Sequence, residues 1–295
     1  MDNAEPLREP DAGAAGPQGS PSLVAGAGGG GGAAAIARPS SSPWVFQYRV
    51  LKALVLRNLV ATHGETRLGF LMGIIIPVFS LAVLMAAFGL RGKIIPSNFS
   101  MGAFLLTGYP LWQGFVGMYR KAVTSASRTD PLLMFPQITQ LDLILASVIQ
   151  TFATDTVVYL VMMFGVIVLL RSHAPGDFMG VVICYWACLW LGAAFGMIVC
   201  AGQRVFPMLL SFINPFMRFG MWFSGVVFMV NRLPSWTWPY LRWNPILHCV
   251  EGARQLWEPS YKSTFFDPGY VIICIFVLTT AGFVLERISR RLVGP

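Results

Sequence analysis

The chain is 295 residues long, 55% hydrophobic and only 12% charged, with a mean hydropathy of +0.63. Soluble domains carry about 25% charged residues, so this composition excludes an ordinary soluble enzyme. Five scattered cysteines, at 184, 188, 200, 249 and 274, exclude a disulfide scaffold. In a membrane chain a net charge of +8 reports loop placement, and no nucleic-acid partner is expected.

Residues 1–43 hold 9 Gly, 10 Ala, 6 Pro and 5 Ser. Nothing there can be buried to offset chain entropy, so the stretch reads as a disordered tail. Its first 20 residues lack the apolar core of a secretory signal. From 44 to 67 the pattern turns amphipathic. Arg49, Lys52 and Arg57 fall within about 140° of helical arc, with Leu51, Leu54 and Val55 opposite. This predicts a basic helix on the inner membrane surface, either merely membrane-proximal or also a platform for a cytoplasmic partner.

A membrane body over 68–286 follows. Its apolar runs are Leu68–Leu90, Met101–Tyr119, Leu141–Leu170, Phe178–Cys200, Met208–Val230 and Gly269–Leu285, each near the length of about 20 residues that a spanning helix needs. The expected fold is an all-α integral membrane protein of six transmembrane helices, with both termini on one side. Pro77, Pro110 and Pro215 fall inside spans, which membrane helices tolerate when neighbours satisfy the freed backbone. With cytoplasmic termini, the inner segments carry Arg38, Arg49, Lys52, Arg57, Arg67, Arg120, Lys121, Arg128, Arg204, Arg287, Arg290 and Arg291. The outer segments carry fewer, namely Arg91, Lys93, Arg171, Arg232, Arg242, Arg254 and Lys262. The positive-inside rule favours that orientation, with 287–295 as a basic cytoplasmic tail.

The second inner loop encloses Asp130, Pro131, Leu132, Leu133, Met134 and Phe135, an apolar cluster that needs cover from a partner groove or the membrane surface. Two ionisable residues, Asp155 and Arg218, fall inside the third and fifth spans, where each is costly unless it faces protein or water. They read as a packed pair or as channel-lining charges. The outer segment Asn231–Asp267 concentrates Trp236, Trp238, Trp243 and Trp257 with Tyr240 and Tyr261. That density suits an aromatic belt or short re-entrant helices beside a water-filled path. Within it, Asn244 can cap a helix and Pro245 suits its first turn. His248, Glu251, Arg254 and Gln255 then share one broad face. Either Glu251 and Arg254 form a minor local pair, or the face borders a channel mouth where Arg254 meets an anionic sugar or lipid phosphate.

Catalytic signatures are lacking. No G-x-x-x-x-G-K-[ST] loop occurs, and the nearest string, Arg91-Gly92-Lys93-Ile94, lacks the first Gly and the hydroxyl. No H-E-x-x-H or G-x-S-x-G occurs. His63, His173 and His248 are far apart, and Cys184 with Cys188 has no second pair for a metal. No catalytic residue, metal or cofactor is expected on this chain, and energy for active transport must come from elsewhere. Asn98-Phe99-Ser100 is a formal glycosylation sequon with no expected role.

Three strings, in order, carry a resemblance: Arg67-Leu68-Gly69-Phe70, then Pro131-Leu132-Leu133-Met134-Phe135-Pro136-Gln137-Ile138, then Trp243-Asn244-Pro245-Ile246-Leu247-His248-Cys249-Val250-Glu251. Together they resemble the ABC-2 (type V) transporter permeases, most closely the capsular polysaccharide export permeases of Gram-negative bacterial inner membranes, over about Phe46 to Arg291. The Gly- and Ala-rich tail and Gln255-Leu256-Trp257 depart from the family pattern. The resemblance implies a homodimer of permeases with two cytoplasmic ABC ATPase subunits that bind ATP and Mg. It implies a coupling helix at about 127–137, re-entrant helices at about 233–257, and a lipid-linked capsular polysaccharide as substrate. Periplasmic adaptor and outer-membrane polysaccharide export proteins would complete the route. Competing readings are an ABC-2 permease for O-antigen, teichoic acid, lipid or drug, and a membrane-embedded enzyme or ion-coupled carrier.

Overall fold

The computed structural model describes residues 49–58, 67–89, 99–127 and 139–293, and these are helical with no strand among them. The helices are α1 (49–58), α2 (Arg67–Gly89), α3 (Met101–Leu106), α4 (Tyr109–Ser127), α5 (Gln140–Leu169), α6 (Phe178–Val205), α7 (Leu209–Phe223), α8 (Trp238–Leu241), α9 (Pro245–Trp257) and α10 (Pro268–Val293). Among the described residues, four helices are long and apolar enough to cross a membrane: α2, α5, α6 and α10. Helices suit such segments because every backbone group is satisfied within the segment.

Two expected spans differ from one straight helix. The run Met101–Tyr119 is broken at Thr107 and Gly108 into α3 and α4. The Thr107 hydroxyl donates back to the carbonyls of Ala103 and Phe104 at 2.9 and 3.1 Å. Pro110 then stands in the first turn of α4, where its missing N–H costs little. The run Met208–Val230 is helical only as α7, which ends at Phe223. Beyond Ser224 the chain turns at Gly225, whose φ of 70° is left-handed and costs glycine alone no Cβ clash.

Helix starts follow local chemistry. Thr139 and Asp142 form a reciprocal capping box on α5, satisfying two otherwise orphaned donors. The Asp177 carboxylate accepts from the Gly180 N–H at 3.0 Å and caps α6.

α6 is the central post, with α4 and α10 forming its most extensive pairings. A Cβ on Gly192 would overlap the Phe115 carbonyl oxygen, and one on Gly196 would lie 3.0 Å from that of Tyr119. Small residues thus let α4 and α6 approach to backbone contact, the way membrane helices gain dispersion energy without a hydrophobic drive between them. At the far end of α6, the buried Glu286 of α10 accepts from Arg290 and pairs with Arg204 at 3.6 Å. On α1, Leu54 buries against Leu143 and Ala146 of α5, with Val50, Leu51 and Val55 around it.

α2 and α7 are different. α7 buries no residue at all, and Phe212, Phe216 and Phe219 of its face stand open. Each of these two helices also carries an internal proline, Pro77 and Pro215.

Candidate functional site

The irregular stretch after α7 folds back against α9, and the chemistry that holds it is ionic and buried. Asn244 caps α9 by accepting from the Ile246 N–H at 3.1 Å, and Pro245 occupies the first turn. On the next turns sit Glu251 and Arg254, both with 0% exposure, joined at 3.0 Å. Arg254 reaches further. Nη1 donates to the Phe228 carbonyl at 3.2 Å and Nη2 to the Val226 carbonyl at 3.1 Å. These carbonyls lie in the turn that α7 leaves behind, and a guanidinium is what they have in place of a helical partner. The guanidinium carbon also sits 4.0 Å from the Phe104 ring centroid, a cation–π contact that gains from desolvation.

Glu251 is satisfied on its other oxygen. Tyr261 donates to it at 2.6 Å and Ser263 at 2.8 Å. Burial, then the adjacent carboxylate, push the Tyr261 phenol above its usual range, so it remains a donor. Gly108, at the break between α3 and α4, makes the space: a Cβ there would meet the Val226 oxygen at 3.1 Å and Arg254 Nη2 at 3.2 Å. The helix break and the turn are therefore one construction. The far end of α9 is closed by the loop before α6, where the N–H groups of Gly176 and Asp177 donate to the carbonyls of Trp257 and Leu256 at 3.0 and 2.9 Å.

The expected site residues fall into distinct places. Glu251 and Arg254 do pair on the helix. The pair is wholly enclosed, and the guanidinium meets backbone carbonyls and a ring. His248 is buried beside them, with Nε2 donating to the Arg242 carbonyl at 2.9 Å and its ring 4.8 Å from that of Tyr270. Trp238 is half-buried, donating to the Leu233 carbonyl and set edge-on to Phe265 at 5.3 Å. Trp236 and Trp243 stand open on the surface, the latter 79% exposed.

Arg218 lies exposed on α7, and among the described residues no ion pair joins it to Asp155. Asp155 instead lines a cavity of about 240 Å³ with Ser80, Tyr109, Gln113 and Tyr159. Arg49 and Lys52 are exposed on α1, and Arg57 is half-buried near its end. Asp130, Pro131, Leu132, Leu133 and Phe135 lie outside the described residues. Among the described residues no group of three His, Cys, Asp or Glu is placed to hold a metal ion.

The sequence reading missed Tyr261, Ser263 and Gly108 as parts of the site. Gly108 beside Pro110 was a visible breaker signal, whereas nothing local marks Ser263.

Residues 49–257 match the model of the ABC-2 type transporter family. The chain belongs to the ABC-2 type transporter family. The α3–α4 break, the turn after α7 and the whole of α9 lie within the matched span. Relatives include the capsule polysaccharide export inner-membrane protein CtrC of Neisseria meningitidis serogroup A, 25% identical over 247 residues, covering 83% of this chain and 93% of that protein. The polysialic acid transport protein KpsM of Escherichia coli is 24% identical over 237 residues, 80% of this chain and 92% of its own. The capsule polysaccharide export inner-membrane protein BexB of Haemophilus influenzae is 25% identical over 251 residues, 84% and 94% of the two chains.

Proposed function

We propose that this ABC-2 chain is the membrane-spanning subunit of an ATP-driven exporter that moves lipid-linked capsular polysaccharide across a bacterial inner membrane. The observation that carries the reading is the likeness over at least 80% of the chain to capsule and polysialic acid exporters of three organisms. The subunit hydrolyses nothing itself. ATP and Mg are bound by two cytoplasmic ABC ATPase subunits, and the segment 127–137, with Asp130, Pro131, Leu132, Leu133 and Phe135, is the contact through which they act.

Two copies form the working unit, and the support is physical. A helix of a membrane protein whose broad apolar face is left open by its own chain turns that face to lipid or another copy, and α7 buries no residue while Phe212, Phe216 and Phe219 stand open. The path runs between the copies, with Arg218 and the open aromatic face of α7 along it. Six crossings result when α3 with α4 supplies the second and α7 with its turn the fifth. Both termini are then cytoplasmic and the α9 segment periplasmic, as the Lys and Arg distribution supports. There an adaptor and an outer-membrane export protein take over the chain.

The test is complementation. This chain, supplied with its own ATPase to a capsule-forming strain lacking both, should restore polysaccharide at the cell surface. Polysaccharide retained inside, with the complex assembled and hydrolysing ATP, would overturn the reading. A cysteine at Ser235, in a background without native cysteines, should react with an impermeant thiol reagent added from outside. Protection there would reverse the orientation.

A further inference from the structure

Three cavities follow one another in series, each sharing lining residues with the next. The first is a cleft of about 950 Å³ between α8 and the start of α10, lined by Trp238, Arg242, Trp243, His248, Asp267 and Tyr270. Phe266 and Pro268 line both this cleft and an apolar groove of about 490 Å³ that holds Trp186 and Ala187. Phe152 and Trp190 carry that groove into a third hollow of about 600 Å³, which runs along α5 and α6 as far as Asp142. The groove exists because α5 and α10 flank α6 without closing over it. Its walls are fixed: Trp186 donates to the Thr156 hydroxyl at 3.1 Å and Trp190 to that of Thr279 at 3.2 Å. Both indole N–H groups are thereby used, and the ring faces are left for an apolar guest.

The cleft at the head of the groove has the opposite chemistry. Arg242 and Asp267 are both exposed there, and no ion pair joins them among the described residues. Asp267 accepts from the Tyr270 N–H through one oxygen, leaving the other free for a cation. His248 Nε2 faces the Arg242 carbonyl, and its buried Nδ1 has no hydrogen-bond partner among the described residues. A cation for a phosphate, a carboxylate for an ammonium, and an apolar groove beneath them match one kind of molecule. We propose that this chain holds a membrane phospholipid with a phosphate and ammonium headgroup, its head in the Arg242–Asp267 cleft and an acyl chain in the groove along α6. A free sugar would leave the groove unused, and a partner helix would leave the two charges unmet.

The proposal needs only a membrane body and is independent of which polymer is exported. Full-length protein purified in mild detergent from a host without a capsule, so that no exported glycolipid is present, is equilibrated with equal amounts of phosphatidylethanolamine and phosphatidylglycerol. Retained lipid is read by native mass spectrometry. Phosphatidylethanolamine should be kept over phosphatidylglycerol by about tenfold, the worth of one charge-assisted hydrogen bond. Asp267→Asn, able to keep its cap on α10, should remove that preference, and Arg242→Gln should lower the retention of both lipids. Ala187→Phe should fill the groove and release both lipids while the protein still elutes as a single species. Equal retention of the two lipids by the native chain, or unchanged phosphatidylethanolamine retention in all three variants, would overturn the proposal. A native chain that retains neither lipid yet still exports polysaccharide would end this inference and leave the proposed function standing.

Discussion

The post α6 and the helix α7 make opposite use of similar side chains. Of the most apolar stretch of α6, 61% is buried within the chain, and its glycines bring α4 to backbone contact. α7 is equally rich in large apolar residues yet buries none of them. α2 and α10 stand close to α7 in this respect, each with 11% of its apolar stretch buried, although α10 pairs extensively with α6. Apolarity in a membrane chain therefore does not report burial. What separates the two regions is small residues and polar anchors. The α4–α6–α9 body has Gly108, Gly192, Gly196 and the buried Glu251–Arg254 network, whereas α7 offers bulky aromatics and one long hydrogen bond, from the Tyr119 hydroxyl to Asn214 at 3.3 Å.

The sharpest break in this contrast comes from Arg254→Gln. It strands the Glu251 carboxylate and releases the Val226 and Phe228 carbonyls, so the body should lose roughly 3–5 kcal/mol. Thermal unfolding in detergent would register this. The double variant Glu251→Gln/Arg254→Gln should recover part of the loss, and a cycle over the four proteins isolates the coupling. Next, Gly192→Ala presses a methyl into the Phe115 carbonyl and should cost about 1–3 kcal/mol by forcing α4 from α6, again as a fall in melting temperature. Asp177→Ala removes a cap from α6 and should cost about 1 kcal/mol.

The smallest effect on stability belongs to the other region. Phe216, 78% exposed, should be replaceable by Ala within about 0.5 kcal/mol in the single chain. Cysteines placed at Phe79 and Phe216, without the native ones, should form oxidative cross-links between copies in the membrane. A cysteine at Val277 of α10 should not, and cross-links of equal yield there would dissolve the contrast.

Much of this architecture was legible. The four long apolar helices announce themselves because a membrane asks only for length and hydropathy, and Asn244-Pro245 marks the start of α9 to the residue. The breaks were only half legible. Gly108 and Pro110 mark an interruption within Met101–Tyr119, but not that the space beside Gly108 is taken by the guanidinium of Arg254, far along the chain. The same distance hid the meaning of Glu251 and Arg254. Their spacing of three shows that they meet, but their burial depends on Val226 and Phe228, carbonyls that no side-chain pattern encodes. Arg218 remained ambiguous in sequence because an aromatic helix reads alike whether it faces its own chain or another.

The prolines of the long helices give the contrast a mechanical sense. Pro215 leaves the Ser211 carbonyl without its helical donor and its ring crowds that turn, and Pro77 does the same in α2. In a packed helix such a weak point is splinted by neighbours. Here both weak points fall in helices that neighbours cover only along one side, while α5, α6 and α10 have no internal proline. Bending stiffness is thus distributed unevenly: a stiff frame around α6, and two compliant staves beside it that can flex while α9, tied to the turn after α7 by its buried ions, holds its shape.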